Sequence, residues 1–174
     1  KSRLVAFAKL SGFNGVDKAA YDRLQRWAVE NPEELWSRFW DFSGIIGDKG
    51  RIIIQKTEQV PWARFFPDSK LSYAENVLRN AATKPDAPGM IARTQDGPDC
   101  VLTWKQLYEQ VSLWEQGLRR AGITEGDKVA VYLPNIPEAM IVLLAASNIG
   151  AVFASAGMEM GEADLINRFS QVKP

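Results

Sequence analysis

The sequence predicts an α/β fold: a helical amino-terminal leader followed by part of a parallel, βαβ-type sheet. Three observations predict it. Residues 128–160 read as one strand–helix–strand unit, helix-start signatures recur at Asn31–Glu34, Ser72–Glu75, Thr103–Gln106 and Asn135–Glu138, and the segments before residue 60 carry mainly helical apolar spacing. From these the chain divides into a leader over residues 1–59 and the incomplete start of a larger domain over residues 60–174.

In order, Ser2 to Phe13 places Leu4, Phe7, Ala8 and Leu10 on one side of a short amphipathic helix, ended by Gly12, Asn14 and Gly15. Asp17 caps a second helix whose Tyr21, Leu24 and Ala28 recur at helical spacing. Asn31, Pro32 and Glu34 supply an N-cap, a first-turn proline and an N3 carboxylate for a third. Its Leu35, Trp36, Phe39, Trp40 and Phe42 predict a helix hairpin packed on Trp27 and Tyr21. The loop Gly44 to Gly50, GIIGDKG, has the look of a phosphate loop but not its spacing, and no Ser or Thr follows Lys49. Ile52 to Gln55 predicts a short strand, and the proline- and aromatic-rich Val60 to Ser69 an extended segment draped over a surface. Ser72 with Glu75 opens a helix carrying Tyr73, Ala74, Val77 and Leu78.

Met90–Arg93 and Cys100–Leu102, flanking Asp96-Gly97, predict a hairpin. Thr103 with Gln106 opens a helix whose Leu107, Val111, Trp114, Leu118 and Ala121 form a core stripe; Arg119 and Arg120 suit its carboxyl end and Gly122 closes it. Val129, Val131 and Leu133 then form a strand stopped by Pro134. Asn135 caps the next helix, Pro137 lies in its first turn, Gly150 closes it, and Ala151 to Ser155 is a second small apolar strand. Joined through one helix, these strands fit a right-handed parallel crossover. The uncharged run Ala139 to Met158 also has the length of a membrane span, but Ser147, Asn148 and Gly150 interrupt it where a helix should end, and no basic residues flank it. After Gly161, Leu165, Ile166, Phe169 and Val172 mark a last helical face.

The totals narrow the function. Twenty-one basic residues balance 21 acidic ones, which removes the electrostatic case for nucleic acid or an anionic membrane as partner. With no histidine, Ser/His and Cys/His pairs and His-bearing zinc sites are excluded within these residues. The single cysteine, Cys100, has no internal disulfide partner and no basic neighbour, so it reads as a packing residue in a reducing, cytoplasmic compartment. The chain opens on Lys-Ser-Arg and ends where a further parallel strand would follow, so the expectation is a trimmed piece of a longer protein whose remainder completes the sheet.

Several stretches together resemble the amino-terminal part of the acyl-CoA synthetases that form acyl-adenylates, and within them the acetoacetate branch. YDRLQRWAVENPEELWSRFWDF is similar to the helical leader of the acetyl- and acetoacetyl-type enzymes, WARFFPDSKLSYAENVLRN to the segment that enters their large domain, and LTWKQLYEQV to the first motif shared by adenylate-forming enzymes. DKVAVYLPNIPEAMIVLLAASNIGAVFAS resembles the following strand, helix and strand, and NRFSQVKP the Arg-Phe-x-Gln-x-x-Pro of the acetoacetate branch. One stretch departs. Where that branch has a small polar residue, Pro, an acid, an aromatic and Gly, this chain has Gly157, Met158, Glu159, Met160 and Gly161.

The resemblance implies a ligation of acetoacetate to coenzyme A at the expense of ATP, with Mg2+ and an acyl-adenylate intermediate, giving AMP and diphosphate. It also implies that the catalytic loops and lysine follow Pro174, so no catalytic residue is assigned here, the fragment alone is inactive, and neither ATP nor coenzyme A binds it tightly. Gly157, Met158, Glu159 and Gly161 are the candidate coenzyme A-channel loop, set against a plain strand-to-helix turn. Two alternatives stay open: an acetyl- or propionyl-type short-chain synthetase, and a non-enzymatic docking module built on the aromatic helices.

Overall fold

The computed structural model describes residues 2–15, 17–58, 62–93 and 99–174. They fall into two compact units, Lys1–Leu71 and Ser72–Pro174. The first holds α1 (Arg3–Leu10), α2 (Lys18–Glu30), α3 (Pro32–Ser43) and an antiparallel pair, β1 (Ile54–Lys56) with β2 (Ala63–Phe65). Asp17 caps α2, its carboxylate accepting the Ala20 N–H at 2.7 Å. Asn31 differs from expectation. It is the N-cap residue of α3, its carbonyl accepting the Leu35 N–H at 2.9 Å, but its side-chain amide donates back to the Trp27 carbonyl at 3.0 Å and bonds no N–H of α3, which starts on Pro32 with Glu33 and Glu34 in its first turn. At a one-residue joint between helices the amide cannot serve both ends.

The α3 rings also choose partners other than those predicted. Phe39 and Phe42 meet Phe7 of α1 at 5.7 and 5.3 Å, Trp36 meets Phe65 at 5.0 Å, and Trp40 meets Phe66 at 4.9 Å. Trp27 lies instead against Phe13 and under the Arg38 guanidinium, and Tyr21 is exposed. The segment expected to drape is partly strand: Ala63–Phe65 pairs with β1, while 59–61 lie outside the described residues.

The second unit holds α4 (Tyr73–Leu78), α5 (Asn80–Thr83), the antiparallel hairpin β3 (Pro88–Ala92) and β4 (Cys100–Thr103), α6 (Trp104–Arg120), β5 (Lys128–Tyr132), α7 (Pro137–Ile149), β6 (Val152–Ala156) and α8 (Glu162–Val172). The hairpin is as predicted; its Asp96-Gly97 turn lies outside the described residues. Thr103 and Gln106 make a reciprocal capping box. Ser72 accepts the Glu75 N–H at 3.1 Å. At α7 the cap is Ile136, without a side-chain bond, because Pro137 takes the first helical position and leaves Asn135 one residue too early.

The βαβ unit is confirmed: β5 and β6 run parallel, in register from Lys128↔Val152 to Tyr132↔Ala156. Gly150 ends α7 in the left-handed conformation at φ 85°, and the Ala151 N–H returns to the Ala146 carbonyl. With α7 only 13 residues long, no helix among the described residues is long and apolar enough to cross a membrane.

α7 is apolar on nearly every side because it is enclosed: Ile141, Leu144 and Ala145 pack with Ala74 and Leu78 of α4 and Leu107 and Val111 of α6. The predicted α6 stripe is covered only in part. Leu118 lies against this core, but Trp114 is 42% exposed and Ala121 is also exposed. Periodicity identifies a face, not how far a neighbour covers it. Cys100 likewise is exposed instead of packed.

Candidate functional site

The candidate loop is the connection from β6 to α8, at the carboxyl ends of the two parallel strands, where ligands of α/β sheets gather. β6 ends at Ala156, whose carbonyl accepts the Leu133 N–H at 3.2 Å, so the ladder carries one bond beyond the strands and delivers the chain to Gly157. The loop then turns: the Met160 N–H donates to the Gly157 carbonyl at 3.1 Å. Gly161 is the N-cap of α8, its carbonyl accepting the Leu165 N–H at 3.0 Å.

The four predicted residues are thus brought together, with distinct roles. Gly157 is not in the left-handed region. What occupies the space of a side chain there is the Glu159 carboxylate, whose Cδ would stand 2.6 Å from an added Cβ. That carboxylate is the far end of a flexible, exposed side chain, so alanine at 157 displaces it without straining the backbone. Met158 points its apolar bulk at solvent, 54% exposed, and Gly161 faces open space.

Tyr132, at the end of β5, was missed by sequence reasoning. Its hydroxyl donates to the Met160 carbonyl at 3.0 Å and also reaches the Met158 carbonyl at 3.3 Å. The available signal was a polar-tipped aromatic closing a parallel strand, on the sheet edge where such loops gather.

The loop supplies backbone, a carboxylate and apolar surface. It contains no cation to meet phosphate charge, and no thiol, hydroxyl or amine, so it can hold and orient part of a ligand but not carry out a ligation. Other candidates are already engaged. The Lys49 ammonium sits on Asp41 at 2.8 and 2.9 Å and on Ser37 Oγ at 3.1 Å, tying its loop to α3. Arg119 pairs with Glu115 one helical turn back. Two carboxyls are held below the usual carboxylate range. Asp68 is lowered chiefly by the Arg51 backbone N–H, and Asp127 by the Thr124 N–H and hydroxyl, which donate at 2.7 and 2.8 Å. Asp127 in turn accepts the Val152 N–H on its carbonyl at 2.7 Å, setting β6 against β5. No three His, Cys, Asp or Glu side chains cluster as a metal site among the described residues.

The strand–helix–strand unit and the hairpin–helix before it are those of an AMP-binding enzyme. The family model of that description matches residues 77–174, and the chain belongs to this family. Within it, the chain is 35% identical over 156 residues to the acetoacetyl-coenzyme A synthetase of Rhizobium meliloti (strain 1021), covering 90% of this chain and 24% of that protein. It is 35% identical over 158 residues to acetoacetyl-CoA synthetase of Macaca fascicularis, covering 88% and 23%. The solved acetoacetyl-CoA synthetase from Streptomyces lividans superposes with a TM-score of 0.89 at 30% identity, covering all of this chain and 27% of that one. The chain therefore spans about a quarter of the length of the relatives it matches.

Proposed function

We propose that residues 1–174 work as the amino-terminal part of an ATP-dependent acid–CoA ligase whose acid is acetoacetate. The observation that carries this reading is the agreement with acetoacetyl-CoA synthetases along the chain, leader included, rather than in the AMP-binding match alone. On this reading residues 1–59 are the leader and 60–174 the start of the AMP-binding large domain, and the enzyme works in the cytoplasm, in keeping with a single, unpaired cysteine.

The reaction has two displacements. A carboxylate oxygen of the acid attacks the α-phosphorus of ATP, forming a new P–O bond and expelling diphosphate. The sulfur of coenzyme A, losing its proton, then attacks the acyl carbon, and the bond to AMP breaks. Neither displacement is assigned a catalytic residue within 1–174. Magnesium accompanies ATP in this reaction class, but the described residues offer no donor cluster for it, and no step is routed through a metal. The part given to this chain is positional: α7 and the β5–β6 ladder form a rigid base, and the loop Gly157, Met158, Glu159 and Gly161 borders the path of coenzyme A.

The test is an assay of the complete enzyme that contains this chain, with ATP, coenzyme A and a series of short acids. AMP, diphosphate and acetoacetyl-CoA should form together, with kcat/KM for acetoacetate exceeding that for acetate or propionate by about tenfold or more. Preference for acetate or propionate would move the assignment to the short-chain synthetases. AMP formation with none of the acids would leave the docking module standing.

A further inference from the structure

We infer that Tyr132 is a positioning residue for coenzyme A, holding the 157–161 loop in the conformation that meets this second substrate; the inference rests on the reading of the loop given above. Tyr132 is the last residue of β5 and stands opposite Ala156, the last residue of β6. A phenol has one proton to give, and two carbonyls lie within its reach, Met160 O at 3.0 Å and Met158 O at 3.3 Å. Shared between them, that proton ties together two points of the turn that belong to consecutive bends of the backbone. Few other bonds hold this turn. Within the loop, the Met160 N–H to Gly157 carbonyl bond closes it. At its far end Gly161 begins α8 with no side-chain cap, and no residue of α8 is buried.

The loop is therefore held at both ends of its turn: just past β5 the Leu133 N–H bonds the Ala156 carbonyl from which the loop departs, and the Tyr132 hydroxyl holds its crown. Removing the hydroxyl leaves the ladder intact and frees the crown. The loop then spends less of its time in the competent shape, and apparent affinity falls by that fraction. The loss belongs to the thioester-forming step, because the tie acts on the loop assigned to coenzyme A and not on groups assigned to adenylation.

The experiment uses Tyr132→Phe and Gly157→Ala in the complete enzyme. Acid-dependent exchange of diphosphate into ATP reports adenylation, and steady-state kinetics report coenzyme A. For Tyr132→Phe the expected result is an apparent KM for coenzyme A raised about threefold to tenfold, the range of one lost neutral hydrogen bond, with kcat and the exchange rate unchanged. Amide hydrogen exchange at residues 158–161 should quicken while β5 and β6 keep their protection. If Gly157→Ala raises that KM and Tyr132→Phe does not, Tyr132 has no positioning role and the reading of the loop stands. If neither variant moves it, the loop lies outside the coenzyme A path and both fall. Loss of kcat and of exchange together in Tyr132→Phe, with β5 deprotected, would make the tyrosine a support of the strand and overturn the inference.

Discussion

Asp68 shows how one side chain can close a stretch of chain. Its carboxylate accepts the Arg51 and Ile52 N–H groups at 2.9 and 3.2 Å, and beside it Asp48 and Lys70 exchange both backbone bonds. The glycines of GIIGDKG belong to this crossing. An added Cβ at Gly47 would stand 2.6 Å from the Lys70 carbonyl, and one at Gly50 would meet the Asp68 carboxyl; both have positive φ. Spacing alone excluded a phosphate loop, but the glycines are needed because residues 68–71 return against them from far along the chain, which no local pattern announces. Because the folded-state pKa of Asp68 is depressed, its contribution to stability is complete above the unfolded value, about 3.9, and disappears as pH falls through the lower folded value. Asp68→Asn should therefore destabilise the chain at neutral pH, and the gap to the parent should narrow as pH falls below about 3.9 in denaturant titrations. A gap independent of pH would show that the carboxylate's charge is irrelevant to the clamp.

Among elements, α6 was legible and α3 only half so, for the same physical reason. The α6 start rests on Thr103 and Gln106, three residues apart, each bonding the other's backbone N–H at 3.2 and 2.9 Å. Everything the signal needs is local. Thr103→Ala should cost about 1 kcal/mol of stability and Thr103→Ser much less, measured by thermal or urea unfolding. Equal losses in the two variants would mean that the methyl group, not the hydroxyl, matters. The start of α3 carries a similar signature, yet Asn31 turns its amide to the Trp27 carbonyl, which its own backbone N–H also bonds at 2.8 Å, because α2 ends on that same residue. Aromatic spacing on α3 likewise identified a packing face, while Phe7, Phe65 and Phe66 as partners depend on where α1 and β2 return. Tyr132 is the same case at the candidate site: its place at a strand end is in the sequence, but its acceptors, 26 and 28 residues on, are not.

For the molecule as a whole, the residues with most weight in the second unit are those around Leu144, which is fully enclosed beside Ala74 and Ala145. Leu144→Ala should destabilise this unit by about 2–5 kcal/mol, whereas Ile166→Ala, on a side chain 60% exposed, should stay within about 0.5 kcal/mol. Chemical denaturation of both variants tests the contrast, and similar losses would mean that the enclosure of α7 is not what stabilises the unit. The parallel crossover was readable because a strand, a capped helix and a second strand follow one another without a break; the coverage of α6 and α8 was not, since it depends on what packs there. The Glu159 carboxylate, lying in the space beside Gly157, gives the loop a further property. A molecule arriving on that side exchanges places with a side chain already there. A neutral arrival only returns the carboxylate to water, where it is better hydrated, while an anionic one must also overcome like-charge repulsion. Screening by dissolved ions weakens that repulsion over about 8–10 Å at physiological ionic strength. On the proposed reading, the part of coenzyme A that passes this side would therefore be its uncharged pantetheine arm and not its phosphates, and the preference for a neutral arrival would relax in concentrated salt.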